Sequence, residues 1–371
     1  MGAPAEESSV TVFKGKRVLV TGHTGFKGSW LTAWLKFLGA EVTGVALDPP
    51  TDPSHFIAAH LADGMTDLRI DIRDRSALQS AIVSARPDFL FHLAAQSLVR
   101  RSYAEPIETW QTNVLGTLNV LEALRALDKP CAAVIITSDK CYDNVEWVWG
   151  YRETDAMGGP DPYSASKGAA ELAIRSYIKS YFPKTTSLVR IASARAGNVI
   201  GGGDWAADRI VPDCVKAWSV NQEVELRNPK ATRPWQHVLE PLSGYLNLAM
   251  ALTQRQDLHG EPFNFGPPAE QNHSVLELVQ RMAVHWDQVR WRDVSQAAAG
   301  PYESGLLKLN CDKALHHLRW HAVMGFEDTV RMTAEWYRVY YQQPGQIAAT
   351  TNAHIAAYSA MAKQRGLVWA Q

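Results

Sequence analysis

The chain has 371 residues, 46% of them apolar, which is enough to bury a substantial core and to carry a second lobe beside a first domain. Its 37 basic and 38 acidic residues leave a net charge of -1, which excludes the broad phosphate attraction of a nucleic-acid binder and makes any phosphate binding local. No apolar run approaches the roughly 18 to 20 residues of a membrane-crossing helix.

Residues 1–12 lack the basic start and apolar stretch of a secretory signal and read as a tail. Arg17–Thr21 is a β-branched apolar run that stops at glycine, and Trp30, Leu31, Trp34, Leu35 and Leu38 follow at helical spacing, so strand, turn and helix are expected. Further strands are expected at 41–47, 68–70, 88–93, 132–137 and 187–191, with helical stretches between several of them. Continuous apolar strands alternating with helices predict an α/β fold with a doubly wound parallel sheet, the Rossmann arrangement. After Ile191 the alternation gives way to a glycine-rich loop, Gly197 to Trp205, and Phe263–Gly266 looks like a strand rejoining the sheet. The expected partition is therefore a dinucleotide-binding domain over 13–194 and about 238–268, interleaved with a smaller mixed lobe over 195–237 and 269–342. The Ala-rich stretch from about 343 onward is weakly patterned and expected as a tail or a surface helix.

Cys131, Cys141, Cys214 and Cys311 are too widely spaced for a zinc cage or a dense disulfide framework, and reduced thiols in a cytoplasm fit best. His316, His317 and His321 have no carboxylate or cysteine in a ligating pattern, so no metal is assigned.

Gly22-His23-Thr24-Gly25-Phe26-Lys27-Gly28 falls between the first strand and the first helix. There a pyrophosphate meets free backbone amides and the positive end of the helix, and glycines let the backbone approach it closely. Asp48, about twenty residues on, ends the second strand, where a carboxylate accepts bonds from ribose hydroxyls and repels a 2′-phosphate. That favours NAD over NADP, although a loop aspartate before Pro49-Pro50 is the alternative. Asp71 and Ile72 are placed to hold the adenine amino group, with a helix N-cap role for Asp71 or Asp74 as the competing reading.

The Gly-x-x-Gly-x-x-Gly spacing resembles that of the extended short-chain dehydrogenase/reductase family, and the likeness runs to about residue 340. His92-Leu93-Ala94-Ala95-Gln96 and Asn113-Val114-Leu115-Gly116-Thr117 look like its next two signatures. The resemblance implies that Leu93, Ala94, Ala95, Asn113 and Thr137 contact the cofactor and that Gln96 contacts the substrate. Of twelve tyrosines only Tyr163 has a lysine four residues later, Lys167, on one helical face. In the family such a tyrosine is the base for a sugar hydroxyl, the ammonium favours phenolate, and the lysine also holds the nicotinamide ribose.

Thr137-Ser138-Asp139-Lys140 at the end of the fifth strand resembles the CDP-glucose 4,6-dehydratase branch, where other sugar-nucleotide 4,6-dehydratases end in Thr-Asp-Glu. That likeness implies removal of hydride from C4, loss of water across C5 and C6, and return of hydride to C6. Asp139 is expected as the acid for the departing C6 hydroxyl, Lys140 as the base at C5 and Ser138 as their neighbour. A lysine with a reference pKa of roughly 10.4 has to lose its proton first, which burial would favour. The alternative makes Lys140 a charged partner of Asp139, and Lys140→Met would then leave elimination largely intact.

Arg195, Asn198, Arg209 and Arg233 lie in segments resembling the branch's sugar-nucleotide loop, with Arg233 in Arg-Pro-Trp-Gln-His-Val as the diphosphate clamp. A CDP-hexose substrate and a homodimer through residues 113–126 and 163–181 are further implications. Another NDP-sugar dehydratase, a 4-epimerase of the same fold and a non-catalytic dinucleotide sensor remain open as alternatives.

Overall fold

Val18, Leu19 and Val20 are all buried in β1 (Arg17–Thr21), as are all six residues of β5 (Cys131–Ile136), which is what a strand covered by helices on both faces requires. In this computed structural model residues 9–287, 289–295 and 306–371 are described. Among them β1, β2 (Glu41–Ala46), β3 (Thr66–Arg69), β4 (Phe89–His92), β5, β6 (Val189–Ala196) and β11 (Pro262–Phe265) form one parallel sheet in the order β11-β6-β5-β4-β1-β2-β3. Successive side chains of β1 enter opposite layers, Val18 and Val20 with Trp30 and Trp34 on one face and Leu19 with Val45 and Leu78 on the other. The strand order reverses between β1 and β4, so the ligand crevice of such a sheet lies outside their carboxyl ends.

The doubly wound α/β class is as the sequence predicts. Its largest misjudged boundary is β6, expected to end at Ile191, which continues to Ala196 because Ala192, Ser193 and Ala194 stay paired with β5 and Ser193 to Ala196 with β11. Beyond the sheet, three two-stranded ribbons pair β7 (Val199–Ile200) with β10 (Gln236–His237), β9 (Thr232–Arg233) with β12 (His273–Ser274), and β8 (Val224–Leu226) with β13 (Trp291–Asp293). Residues 288 and 296–305 of the expected smaller lobe lie outside the described residues.

The N-terminal tail needs correction, and of the two readings of the C-terminal stretch the helix is the one observed. Residues 1–8 lie outside the described residues, but Ser9–Phe13 is helical and Phe13 packs its ring 4.7 Å from that of Phe89. At the other end Ile347–Gln364 is a helix that buries Ile347, Thr351, Ile355, Tyr358 and Ala362, and Tyr358 and Trp369 pack edge-on against Trp34. Alanines fill the faces between these residues, so the sequence shows little amphipathic contrast, yet the stripe covers Trp34 and completes the core. No described helix is long and apolar enough to cross a membrane.

Candidate active site

The glycine turn after β1 is shaped by close approach. Gly22 has φ +77°, and a Cβ there would stand 2.6 Å from the amide nitrogen of Ala94, while one on Gly28 would stand 2.0 Å from the Gly22 carbonyl oxygen. Gly25 opens the helix Phe26–Phe37 without a side-chain cap, so its first amides are free for an anion. Phe26 packs beneath the loop containing Gly201. Thr24 donates its hydroxyl to the Leu47 carbonyl at 3.0 Å, and buried His23 bonds Asp67 through Nε2 at 2.8 Å, so both tether the turn to the neighbouring strands. Asp48 stands beyond β2 with its carboxylate 92% exposed and 3.7 Å from the Arg69 guanidinium, reachable by a ribose.

Asp71 is held by Arg73, whose side chain donates at 2.6 and 2.9 Å and whose backbone amide donates at 2.8 Å, so its carboxyl lies below the usual range. Asp74 supplies the N-cap, accepting from the Ala77 amide at 3.0 Å. Ile72, expected at the adenine, instead buries its side chain in the core against Gly116, because only glycine there leaves room for it.

Leu93, Ala94 and Ala95 leave β4 half-buried beside Gly22. His92 is buried between the Thr21 and Thr117 hydroxyls at 2.7 and 3.0 Å, and burial depresses it to about 3. Gln96 and Asn113 differ from expectation. The Gln96 side chain is spent on both backbone groups of Leu98 and on the Thr109 hydroxyl. Asn113, in a π-helical turn at 111–115, brackets the Gln96 backbone from both sides and donates to Ser166 Oγ at 2.9 Å. Each is saturated by protein partners, so each side chain fixes the cleft wall and has no donor left for a ligand.

The helix Pro162–Tyr181 starts where Pro162 presets the first turn and Asp161 accepts from the Ser164 amide at 2.9 Å. It carries Tyr163 and Lys167 one turn apart, both buried. Burial raises the Tyr163 phenol to about 12, with its contact to the Ser138 side chain working against that, Asp139 adding to it and Arg209 opposing it. The expected lowering of the phenol therefore does not prevail over desolvation, and the Lys167 ammonium lies 5.9 Å from the ring centre. Lys167 itself is pushed down to about 8 by burial, while Cys141 and Glu171 resist.

Beside this pair, Ser138 donates to Asp139 Oδ1 at 3.0 Å and accepts from the Lys140 amide at 3.2 Å, fixing the short turn Asp139–Cys141. Asp139 is buried, and its carboxyl is raised by desolvation against the pull of Lys140, Ser138 and Lys27. Lys140 is half-buried, not enclosed. Lys27 comes within electrostatic reach of Asp139, Arg209 and Lys167, and burial pushes it down to about 8. Phenol, carboxyl and three cations thus meet at the carboxyl edge of the sheet, and Arg209 is held there by Asp204 at 2.7 Å.

Behind them lies a buried ionic cluster that the sequence reading missed. Glu171 accepts from Arg195 at 2.8 Å, Thr137 at 2.5 Å and Ser193 at 2.9 Å. Burial opposes its charge, but Arg195 and these donors hold its carboxyl low. Arg195, 1% exposed, also donates to the Tyr142 hydroxyl and the Glu153 carbonyl, and Thr137 points into the same cluster. Neither therefore faces a ligand as expected. The available signal was the i, i+4, i+8 stripe of Tyr163, Lys167 and Glu171. Asn198 is half-buried between β6 and β7, and Arg233 on β9 donates to the Thr232 carbonyl at 2.8 Å.

Residues 19–333 match the family described as GDP-mannose 4,6 dehydratase. The chain is 48% identical over 332 residues to the CDP-glucose 4,6-dehydratase of Salmonella typhimurium, covering 88% of this chain and 92% of that one. It is 26% identical over 339 residues to a probable dTDP-glucose 4,6-dehydratase of Sinorhizobium fredii, covering 86% and 92% of the two. A UDP-glucose 4-epimerase structure from Stenotrophomonas maltophila with bound NAD superposes with a TM-score of 0.75 at 22% identity, covering 87% of this chain and 98% of that one, a likeness of fold.

Proposed function

The chain belongs to the GDP-mannose 4,6 dehydratase family, and on that premise we propose that it is an NAD-dependent CDP-glucose 4,6-dehydratase, a hydro-lyase that yields CDP-4-dehydro-6-deoxyglucose. The observation that carries the reading is the buried Asp139 carboxyl beside the Tyr163 phenol, with Ser138 touching both. A 4-epimerase oxidises and reduces one carbon and has no use for an acid there, whereas a dehydratase has to protonate a leaving hydroxyl.

The uncapped helix end at Gly25, the close approach at Gly22 and Gly28, and the accessible Asp48 fit a dinucleotide pyrophosphate and ribose. NAD held there would supply the hydride acceptor and donor that oxidation at C4 and reduction at C6 require. Tyr163 removes the C4 hydroxyl proton, with the positive charge of Arg209 favouring the phenolate against burial. Asp139, whose carboxyl burial raises, gives its proton to the C6 oxygen as the C6–O bond breaks. Lys140 stands next to it, half-exposed, and as the free amine takes the C5 proton, which the C4 carbonyl has acidified. Arg209, Arg233 and Asn198 are assigned to the diphosphate and sugar, on a smaller lobe that closes over the sheet edge. A cytoplasmic homodimer joined through residues 113–126 and 163–181 completes the proposal.

Purified protein incubated in turn with CDP-glucose, dTDP-glucose and GDP-mannose tests it. A 4-keto-6-deoxy product from CDP-glucose is expected, and failure to form it with CDP-glucose overturns the reading. Because hydride returns to the same sugar, bound dinucleotide is expected to co-purify.

A further inference from the structure

Asp139 lines one narrow cavity with Gly197, Pro234, Gln236, Gly266 and Lys308 among its other walls. It lies just past the ends of β6 and β11, with Gln236 of β10 in its wall, at the carboxyl edge of the sheet. Gln236 is the one neutral polar side chain in that wall among the described residues. It is 1% exposed, its Nε2 donates to the Phe265 carbonyl at 3.4 Å, and its Oε1 has no partner. Turning the amide over would set oxygen against the carbonyl oxygen of Phe265, so the orientation with an unsatisfied acceptor is the favoured one. A buried acceptor left unmade is costly, and such costs are retained where a ligand relieves them.

The reacting hydroxyl has a matching need. To receive a proton from Asp139, the C6 oxygen has to turn a lone pair toward the acid, which leaves its own O–H pointing elsewhere in a closed site. A second acceptor relieves Asp139 of that hydrogen, since its Oδ1 already accepts from Ser138 and its other oxygen carries the proton to be given away. We propose that Gln236 is a positioning residue for elimination, its Oε1 accepting the hydrogen of the C6 hydroxyl so that the lone pair faces Asp139. As the C6–O bond breaks, the Asp139 proton passes to that oxygen. The C5–H pair becomes the C5–C6 double bond, the C5 proton goes to Lys140, and the departing water stays bonded to Gln236 through the hydrogen it already carried.

This rests on the dehydratase reading, and the experiment separates the two. The parent enzyme and Gln236→Met are compared with CDP-glucose and with CDP-6-deoxyglucose, which lacks the hydroxyl in question. With CDP-glucose the variant is expected to lose about 10- to 100-fold in product formation, the worth of one buried hydrogen bond. The 4-keto hexose that still carries its C6 hydroxyl, read by mass spectrometry of quenched turnover, is expected to accumulate. Affinity for CDP-6-deoxyglucose is expected to match that of the parent, since the lost contact does not exist there. Gln236→Asn keeps the amide but not its reach; it gives the same pattern and stands in if the methionine variant fails to fold. An equal loss with both ligands, or no loss with CDP-glucose, overturns the role of Gln236. A parent that forms no 4-keto product from CDP-glucose sinks the dehydratase reading instead.

Discussion

At the scale of the residue, burial decides what each polar group at the site can do. Asp139 is an acid because desolvation favours its protonated form, so it holds a proton at a pH where an exposed aspartate has lost it. Asp139→Asn is expected to cut product formation at least about 100-fold while C4 oxidation persists, read as accumulation of the undehydrated 4-keto sugar. In the parent, turnover is expected to fall as pH rises through the raised Asp139 pKa, the direction required of an acid. Arg195 shows the opposite lesson: its motif suggests a ligand clamp, but it lies 1% exposed on Glu171. Arg195→Met strands a buried carboxylate and is expected to cost about 3–5 kcal/mol in denaturant unfolding, and adding Glu171→Gln is expected to recover part of it. Tyr163 and Lys167 were legible by their helical spacing, and Asp139 by the resemblance of its segment to that of the sugar-nucleotide 4,6-dehydratases. The saturation of Gln96 and Asn113 was not, because it depends on partners such as Thr109 and Ser166 brought from other helices.

The elements set where these groups stand. The turn from β1 into the helix Phe26–Phe37 works because backbone passes within reach of backbone, and Gly28 is its tightest point. A Cβ there meets the Gly22 carbonyl at 2.0 Å, with no flexible side chain to give way. Gly28→Ala is therefore expected to abolish dinucleotide retention, measured as loss of co-purifying NAD and of its fluorescence on release. The strand and helix starts could be read from apolar runs, Pro162 and the Asp161 cap, since these are local signals. For the helix Ile347–Gln364 the sequence allows either a tail or a surface helix, and its packing role was not legible, since its value lies in covering Trp34 across the chain.

For the molecule as a whole, several histidines are buried without charge. Burial depresses His55 and His92 to about 3 and His354 to about 4, and it lowers His237 as well. Their folded pKa values lie below the ordinary 6.5, so the stability they share is complete above 6.5 and is lost as pH falls toward 4 and 3. Glu240, raised by burial to about 7 from 4.5, works in the other direction within that narrower window. With the four depressed histidines set against the raised carboxyls of Glu240, Asp139, Glu153 and Asp213, the melting temperature is expected to fall as pH drops below about 6.5, checked by thermal unfolding across buffers. A flat profile there would show that these histidines take protons without unfolding.

The sequence by itself determined the layered α/β architecture, the glycine turn and the tyrosine, lysine and aspartate of the candidate site, because periodicity and motif spacing are local properties of a chain. Only the tertiary structure decided which polar residues face the cleft and which are consumed by one another. It turned Arg195 and Thr137 inward to Glu171, closed Gln96 and Asn113 on the protein, left Lys140 half-exposed, and put Gln236 beside Asp139. Direction and burial depend on which distant segments pack together, and the free energy of a polar group follows from those neighbours.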